Sequence, residues 1–220
     1  MLHLEKHVGV VIDLVEDDEH GQVSVDALRE RIDDDVKLIA LTHVPTSGGL
    51  VNPAAAVGRV AREAGIPFLL DACQSVGQLP IDVAEIGCDV LSATGRKFLR
   101  GPRGTGFLYV RRELADTLVP HVLDSRSATW TSLREYTIAP GAQRFETWEH
   151  SIATQLGLGV AIDHALSWGL PSIAARNSEL ATRLRASLAE SRRRETTETA
   201  DRRSATLLRW GSILTPCSQR

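Results

Sequence analysis

Polar side chains of five different chemical types follow two of the apolar runs in this sequence. Asp71 ends the apolar run PFLLD, and Gln74 comes three residues later. Thr94, Arg96 and Lys97 lie in the segment SATGRK, which follows the apolar run CDVL. A carboxylate, an amide, a hydroxyl, a guanidinium and an amine therefore fall within 27 residues of chain. An amine can bond covalently to a carbonyl carbon, and a hydroxyl and a cation can hold an anion beside it.

Lysine is rare in this chain, which draws attention to Lys97. The 25 basic residues include only three lysines, at positions 6, 37 and 97. Lys97 has two interpretations, a reactive amine or a solvated charge in the basic loop RKFLRGPR. Asp71 can likewise be a site carboxylate or the N-cap of a helix at a strand end. His43, which ends the run VKLIALTH, is either a site residue or a hydrogen-bonded structural histidine.

The elements that must position these residues alternate between short apolar runs and amphipathic segments. This pattern predicts an α/β fold, with a mostly parallel sheet and helices on both faces. Strands are predicted over residues 8–15, 36–43, 67–71, 88–93 and 104–110, and helices over 25–32, 54–65 and 83–86. The direction of the last strand is left open by the sequence. Open α/β sheets bind ligands at the carboxyl ends of their strands, where Asp71 and SATGRK are expected.

The second half of the chain is predicted to be irregular first and helical afterwards. Residues 120–143 have no apolar period. Two helices follow, each with three apolar residues on one face: Ile152, Leu156 and Val160 in the first, and Leu180, Leu184 and Leu188 in the second. The run LLRWGSIL near the C-terminus is compatible with a strand but has no obvious sheet to join.

Composition excludes several classes of protein. The net charge of −3 and the pI near 6.2 argue against a nucleic-acid partner, which would need a basic face. No apolar run reaches the roughly 18 residues of a membrane span, and the N-terminus has no secretory pattern, so we expect a cytoplasmic protein. Three cysteines give no metal-binding spacing. GPRGTG departs from the dinucleotide fingerprint, and the acidic turn EDDEHG after the first strand would repel phosphate, which disfavours a nucleotide-binding domain.

The segment DACQSVGQLPIDVAEIGCDVLSATGRKFLRGPRGTGFLYV resembles the core of class V aminotransferases. LTHVPTSGGLVNP and RFETWE are also similar to segments at equivalent places in that family, so the resemblance covers about residues 8–190. It is most specific in the pairing of D-x-x-Q with [ST]-G-x-K. Members of this family are enzymes that use pyridoxal 5′-phosphate (PLP) and act on amino acids.

The resemblance implies a role for each candidate residue. Lys97 would be the catalytic lysine that holds the aldehyde carbon of PLP as a Schiff base and moves protons at the substrate α-carbon. Asp71 would face the pyridine nitrogen, and Gln74 the 3′ oxygen. Thr94 and Arg96 would bind the phosphate. His43 would lie in the segment that lines the cofactor floor. No metal site is implied.

Two departures from the cysteine desulfurase pattern bear on the reaction type. Desulfurases usually carry histidine where this chain has Arg96, and a glycine-threonine turn where it has Trp148 and Glu149. Both departures favour the isopenicillin N epimerase-like and ergothioneine C–S lyase branch over desulfurase activity. C–S lyase, epimerase and transaminase chemistry all stay open, because each starts from the same carbanion at the α-carbon.

The resemblance also predicts the domain organisation. Residues 1–150 would form the PLP-binding large domain, without its N-terminal part, and 151–190 would be helices leading to a small C-terminal domain. Residues 191–220 match nothing in the family and carry a local charge of about +4, so we expect an atypical, exposed or disordered tail. The expected partners are an amino-acid substrate and a second copy of the chain in a homodimer. The alternative function is a truncated, inactive homologue that acts only as a subunit or interaction partner.

Overall fold

A computed structural model describes residues 2–47, 49–190 and 205–210 of the chain. They divide into two compact units. Unit 1 contains the residues up to Asp71, the segment 82–88 and the C-terminal strand, whereas unit 2 contains residues 72–81 and the residues from Asp89 to the end of the last helix.

Unit 1 contains four strands covered by four short helices. The strands are β1 (Val10–Val15), β2 (Val36–Thr42), β3 (Phe68–Asp71) and β8 (Ala205–Trp210), in the spatial order β1-β8-β2-β3. The helices are α1 (Leu2–Val8), α2 (Val25–Glu30), α3 (Ala54–Ala64) and α4 (Val83–Ile86). β2 and β3 are parallel, and β8 runs antiparallel to both of its neighbours.

Local sequence explains the helices of unit 1. The Ser24 hydroxyl accepts the Ala27 N–H and so begins α2, as its N-cap position predicts. Gly65 ends α3 with φ of 67°, a left-handed conformation that glycine adopts without steric cost. At Gly58 a Cβ would lie 1.8 Å from the Ile86 carbonyl oxygen, so α3 approaches α4 only because this residue has no side chain.

Unit 2 contains one antiparallel strand pair, one hairpin and two long helices. The pair is β4 (Val90–Thr94) with β5 (Gly106–Val110), and the hairpin is β6 (Ala128–Ser132) with β7 (Glu135–Ile138). The long helices are α6 (Ile152–Trp168) and α7 (Leu170–Glu190). A short helix, α5 (Arg112–Ala115), and a 3₁₀ helix, Gly141–Phe145, precede them. A small core of Leu99, Leu158 and Ala165 packs the turn after β4 against α6.

The predicted fold class, an α/β fold with a mostly parallel sheet flanked by helices, is confirmed. β1, β2 and β3 run in the same direction, and β8 runs opposite to them. The structure differs from the sequence prediction at the first strand and within residues 120–143, and it fixes the direction of β5. The first strand begins at Val10, because residues 2–8 form α1 and Gly9 turns the chain at φ of 76°. Residues 128–138 form a hairpin within the segment predicted to be irregular. β5 is antiparallel to β4, a direction that the sequence had left open.

The C-terminal run, expected to lack a sheet, has one. Residues 205–210 of the predicted tail form β8, between β1 and β2. Residues 191–204 and 211–220 lie outside the described residues, and the domain boundaries at 150 and 190 stay predictions. Among the helices that the structure describes, none is long and apolar enough to cross a bilayer.

Candidate active site

His43 and Asp71 meet at the carboxyl edge of the parallel pair in unit 1. Thr42 and Asp71 are opposite each other in the β2–β3 register, and the His43 N–H donates to the Asp71 carbonyl at 3.0 Å. The Asp71 side chain is half-buried, whereas His43 is only 8% exposed. Burial lowers the pKa of the His43 imidazole, because water no longer stabilises its charged form. His43 therefore presents a neutral ring at pH 7.

Asn52 fixes the end of β2 from which His43 extends. It is 2% exposed, and its side-chain amide donates to the Thr42 carbonyl at 2.8 Å. Its side-chain oxygen accepts the Val23 N–H at 3.0 Å, and its own N–H donates to the His43 carbonyl at 2.8 Å. A buried side chain with its donor and acceptor both satisfied holds this strand end rigidly.

The segment that carries Gln74 is tied to β4 within unit 2. The Ala72 N–H donates to the Ser92 carbonyl at 2.9 Å. The Ala72 carbonyl in turn accepts the N–H groups of Ser75 and Val76, each at 3.0 Å, which coils the chain into a tight turn. Gln74 lies half-buried within this turn. Because Ala72 directly follows Asp71, the carboxylate is three residues from Gln74 along a well-anchored chain.

Lys97 lies in a closed turn that follows β4. The Gly95 N–H donates to the Thr105 carbonyl, and the Gly101 N–H donates to the Gly95 carbonyl, both at 2.8 Å. Inside this closure the Arg100 N–H donates to the Lys97 carbonyl at 2.9 Å, with Arg100 in a left-handed conformation at φ of 59°. A non-glycine residue in that conformation is strained, and such strain is common at functional turns. The backbone of Lys97 is therefore held from both sides.

Gly77 brings the Gln74 turn and the Lys97 turn into contact. A Cβ on Gly77 would lie 2.7 Å from both the Leu99 nitrogen and the Phe98 carbonyl carbon. Its φ of 90° also lies in the region that favours glycine. Val76 packs beside it against the cluster that contains Leu99. The backbone that follows Gln74 therefore lies directly against the backbone that follows Lys97.

The predicted residues thus fall into two groups. Unit 1 brings together His43 and Asp71, and unit 2 brings together the turns that carry Gln74, Thr94, Arg96 and Lys97. Asp71, Gln74, Thr94 and Lys97 are half-buried and Arg96 is exposed, so each side chain has surface for a ligand. The donor set fits PLP in kind, with a carboxylate for a ring nitrogen, an amide for a ring oxygen, cations and a hydroxyl for a phosphate, and an amine for an aldehyde. No cluster of three metal-ligating side chains occurs in the described part of the chain.

Two residues that support these segments, and one that supports another part of unit 2, were missed from the sequence. Gly77 carried a signal, since an isolated glycine among apolar residues often marks a close backbone approach. No local sequence pattern marked Asn52, because its partner Val23 is 29 residues away. Arg144 was noticed only within RFETWE, yet it is 8% exposed and donates to the carbonyls of Ala115 and Leu118 at 2.7 and 2.9 Å.

Comparison with known proteins decides the family. The sequence model described as aminotransferase class-V matches residues 1–209. The chain belongs to the class V aminotransferase family. Among curated relatives, a probable cysteine desulfurase of Methanothermobacter thermautotrophicus is 31% identical over 180 residues, which cover 82% of this chain and 45% of that protein. A cysteine desulfurase of Synechococcus elongatus is 32% identical over 177 residues, 80% of this chain and 28% of that protein.

Solved structures agree with this class V assignment. An apo cysteine desulfurase from Thermococcus onnurineus NA1 superposes with a TM-score of 0.75 at 29% identity, over 81% of this chain and 44% of that one. The cystine C–S lyase C-DES, solved with cysteine persulfide, has a TM-score of 0.60 at 28% identity, over 66% of this chain and 39% of that one. A variant of C-DES was solved with glycine covalently linked to its PLP cofactor.

The resemblance predicted from the sequence is therefore confirmed at the level of the family. The predicted cofactor agrees with these relatives, one of which holds PLP. The chain spans about half the length, or less, of the curated relatives it matches, 45% in the first case. Arg96 and Trp148 had favoured the epimerase-like and C–S lyase branch over desulfurases. These relatives do not resolve that choice, since their names include both cysteine desulfurases and a C–S lyase.

Proposed function

We propose that this chain forms the PLP-binding part of an enzyme that cleaves the C–S bond of an amino acid, with Lys97 as its catalytic lysine. The support is the position of Lys97, which is the residue at the end of the D-x-x-Q and [ST]-G-x-K pairing and lies in a turn closed by hydrogen bonds on both sides. The relatives that act on cysteine or cystine support the C–S lyase type over transaminase and epimerase chemistry.

Each residue has a separate task in this proposal. The Lys97 amine holds the aldehyde carbon of the cofactor and transfers a proton at the substrate α-carbon. The Asp71 carboxylate faces the pyridine nitrogen and keeps it protonated, while the Gln74 amide donates to the 3′ oxygen. Bound PLP supplies an electron sink for the α-carbon.

The remaining predicted residues bind and enclose the cofactor. The Thr94 hydroxyl and the exposed Arg96 guanidinium bind the phosphate, for which a cation and a hydroxyl are suitable partners. The neutral His43 ring lines the floor of the site. A neutral imidazole there adds no second positive charge to compete with the pyridinium for the Asp71 carboxylate.

The proposal extends to the state of the protein. We infer a homodimer in the cytoplasm, which acts on a small amino acid and binds neither nucleic acid nor membrane. The alternative, an inactive subunit, has no supporting observation, since every proposed cofactor-binding residue except the buried His43 is half-buried or exposed.

The test is to trap the cofactor on the chain. Purified protein mixed with PLP should develop an absorbance band in the near ultraviolet or visible range, and borohydride should convert it into a covalent adduct. Peptide mass mapping should place that adduct on Lys97, which it can do without ambiguity because the chain has only three lysines. Lys97→Ala should lose both the band and the adduct.

Lys37→Ala is the matched control. Lys37 is an exposed residue of β2 whose amine donates to the Asp34 carbonyl. The control should keep the band and the adduct unchanged. An adduct spread evenly over the lysines, or a band that persists in Lys97→Ala, would contradict the assignment. With cysteine and cystine as substrates, sulfide, persulfide or pyruvate supports a lyase, and exchange of amino groups with oxo acids supports a transaminase instead.

A further inference from the structure

Two successive strands of unit 1 are separated by a strand from the far end of the chain. β1 and β2 do not pair with each other, since β8 lies between them and runs antiparallel to both. Ala205 is opposite both Val15 and Leu41 at one end of this arrangement. Sheet strands lie about 4.8 Å apart, so the space between β1 and β2 is one strand wide, at roughly 10 Å.

The two walls of this space are suited to an extended, apolar segment. Val10 and Val15 are buried at the two ends of β1. On β2, Val36, Ile39 and Leu41 are buried as well. Each wall also presents a row of backbone N–H and C=O groups, which need partners when they are buried. A single inserted strand satisfies both rows together.

Contacts outside β8 hold β1 in place. The Arg31 guanidinium, at the end of α2, pairs with the Asp13 carboxylate at 2.7 Å and also with the Glu16 carboxylate. The Ser24 N–H donates to the Glu16 carbonyl at 2.9 Å. These contacts join α2 to the carboxyl half of β1.

The loop between β1 and α2, residues 16–24, is also fastened to the end of β2. The Val23 N–H donates to Asn52, whose side chain donates to the Thr42 carbonyl. The Gln22 side-chain amide also donates to the Val51 carbonyl. These contacts connect the two walls through residues 16–24 and Asn52, at the end of the space where Ala205 lies.

We propose that the space between β1 and β2 is a strand-acceptor site, and that residues 205–210 occupy it as an exchangeable segment that a second copy of the chain can supply. Pairing of an extended segment with an open sheet edge is a general mode of peptide recognition, in which backbone hydrogen bonds provide most of the affinity. Here two edges face one segment, so the number of such bonds per residue is doubled.

The pairing defines which segment fits. The ladder shifts register between Val36 and Leu38, which leaves Lys37 as the extra residue of a bulge at the end near Trp210. Bulges terminate or redirect pairing, so the acceptor takes a short segment in one register. The sequence ATLLRW contains neither glycine nor proline and suits a central strand.

Displacement is tested first with a dye-labelled peptide of the sequence ATLLRW. Leu207 is opposite Asp13 and Ile39, and proline at this position removes an N–H from a strand that is paired on both sides. The Leu207→Pro variant should therefore vacate the site and bind the peptide at least ten-fold more tightly than wild type, where the tethered segment competes. Leu207→Val is the matched control and should bind like wild type. Equal affinity for all three proteins, or no saturable binding to Leu207→Pro, would overturn the proposal.

A second measurement uses only the wild-type chain. Hydrogen exchange is recorded with and without an excess of unlabelled peptide, with a scrambled peptide as the control. The amides of residues 205–210 should lose protection in the presence of the peptide, while those of residues 10–15 and 36–42 keep theirs. If all three strands lose protection together, or none does, residues 205–210 are an inseparable part of the sheet and the proposal fails.

Discussion

A buried imidazole such as that of His43 makes stability depend on pH. Burial lowers its pKa in the folded state below the ordinary value of 6.5, so the unfolded chain takes up a proton at a higher pH than the folded chain does. The contribution of His43 to stability is therefore fully present above about pH 6.5. It declines as the pH falls through that value toward the folded-state pKa.

Replacement of His43 by glutamine should flatten this dependence. Urea unfolding at pH 8 and pH 5.5 should show a smaller loss of unfolding free energy in His43→Gln than in wild type, whatever the absolute stability of the variant. His20→Gln is the control, because the His20 side chain is 73% exposed and its ion-pair partner Glu19 is exposed as well. If wild type and His43→Gln lose the same unfolding free energy between pH 8 and pH 5.5, other groups are responsible for the acid sensitivity.

At the scale of elements, Gly77 decides how closely the Gln74 turn approaches the Lys97 turn. Gly77→Ala should lower the free energy of unfolding for two reasons. An alanine in the left-handed conformation costs about 1–2 kcal/mol, and the overlap of its Cβ with the Phe98–Leu99 backbone costs about 1–3 kcal/mol more. Gly104→Ala carries only the first cost, since its φ is 78° and nothing lies within 4 Å of a new Cβ. Denaturant unfolding should therefore rank Gly77→Ala as the less stable variant.

The same pair of variants connects packing with the proposed chemistry. Gly77→Ala should also reduce the yield of the borohydride adduct at Lys97, because the overlap moves the backbone that positions this lysine. Gly104→Ala should leave that yield unchanged. If both variants lose the same stability and the same adduct yield, the close approach at Gly77 has no bearing on the site.

The elements that sequence predicts well are those whose stabilising interactions are local. VKLIALT and PFLLD are strands because nearly every side chain is apolar, and Ser24 and Gly65 cap their helices through neighbours within a few residues. The β6–β7 hairpin was missed because its residues are mostly exposed and so show no alternation of burial. The bonds from Asn52 to Val23 and from Arg144 to Ala115 join residues 29 positions apart, which no local pattern records.

For the candidate site, residue types and order were sufficient to predict which side chains supply the chemistry. They could not reveal that Gly77 packs the two loops together, nor that Arg100 adopts a left-handed conformation beside Lys97. Both features depend on which backbone segments meet in three dimensions.

At the scale of the whole molecule, the apolar stripe predicted on α6 is present and faces outward. Ile152, Leu156 and Val160 are 67%, 67% and 70% exposed. Leu180, Leu184 and Leu188 of α7 are exposed as well. Apolar side chains clustered in this way promote association, and this agrees with the proposed homodimer.

A charge placed in this stripe should weaken self-association. We expect Leu156→Lys to shift the protein toward monomer in sedimentation velocity runs over a range of concentrations, with little change in unfolding free energy because the site is exposed. Ser178→Lys adds the same charge at an exposed position of α7 and should behave like wild type. Identical sedimentation of all three proteins would exclude the α6 stripe as the contact surface.

The position of β8 also has a consequence for how the protein is made. On the ribosome β1 and β2 are completed about 160 residues before β8 emerges, so their facing edges wait unpaired while most of the chain is translated. Closing so long a loop is slow, and exposed strand edges recruit other strands in the meantime. A pause in translation before residue 205 would prolong this state, and premature termination there would release chains with two open edges that chaperones would have to shield.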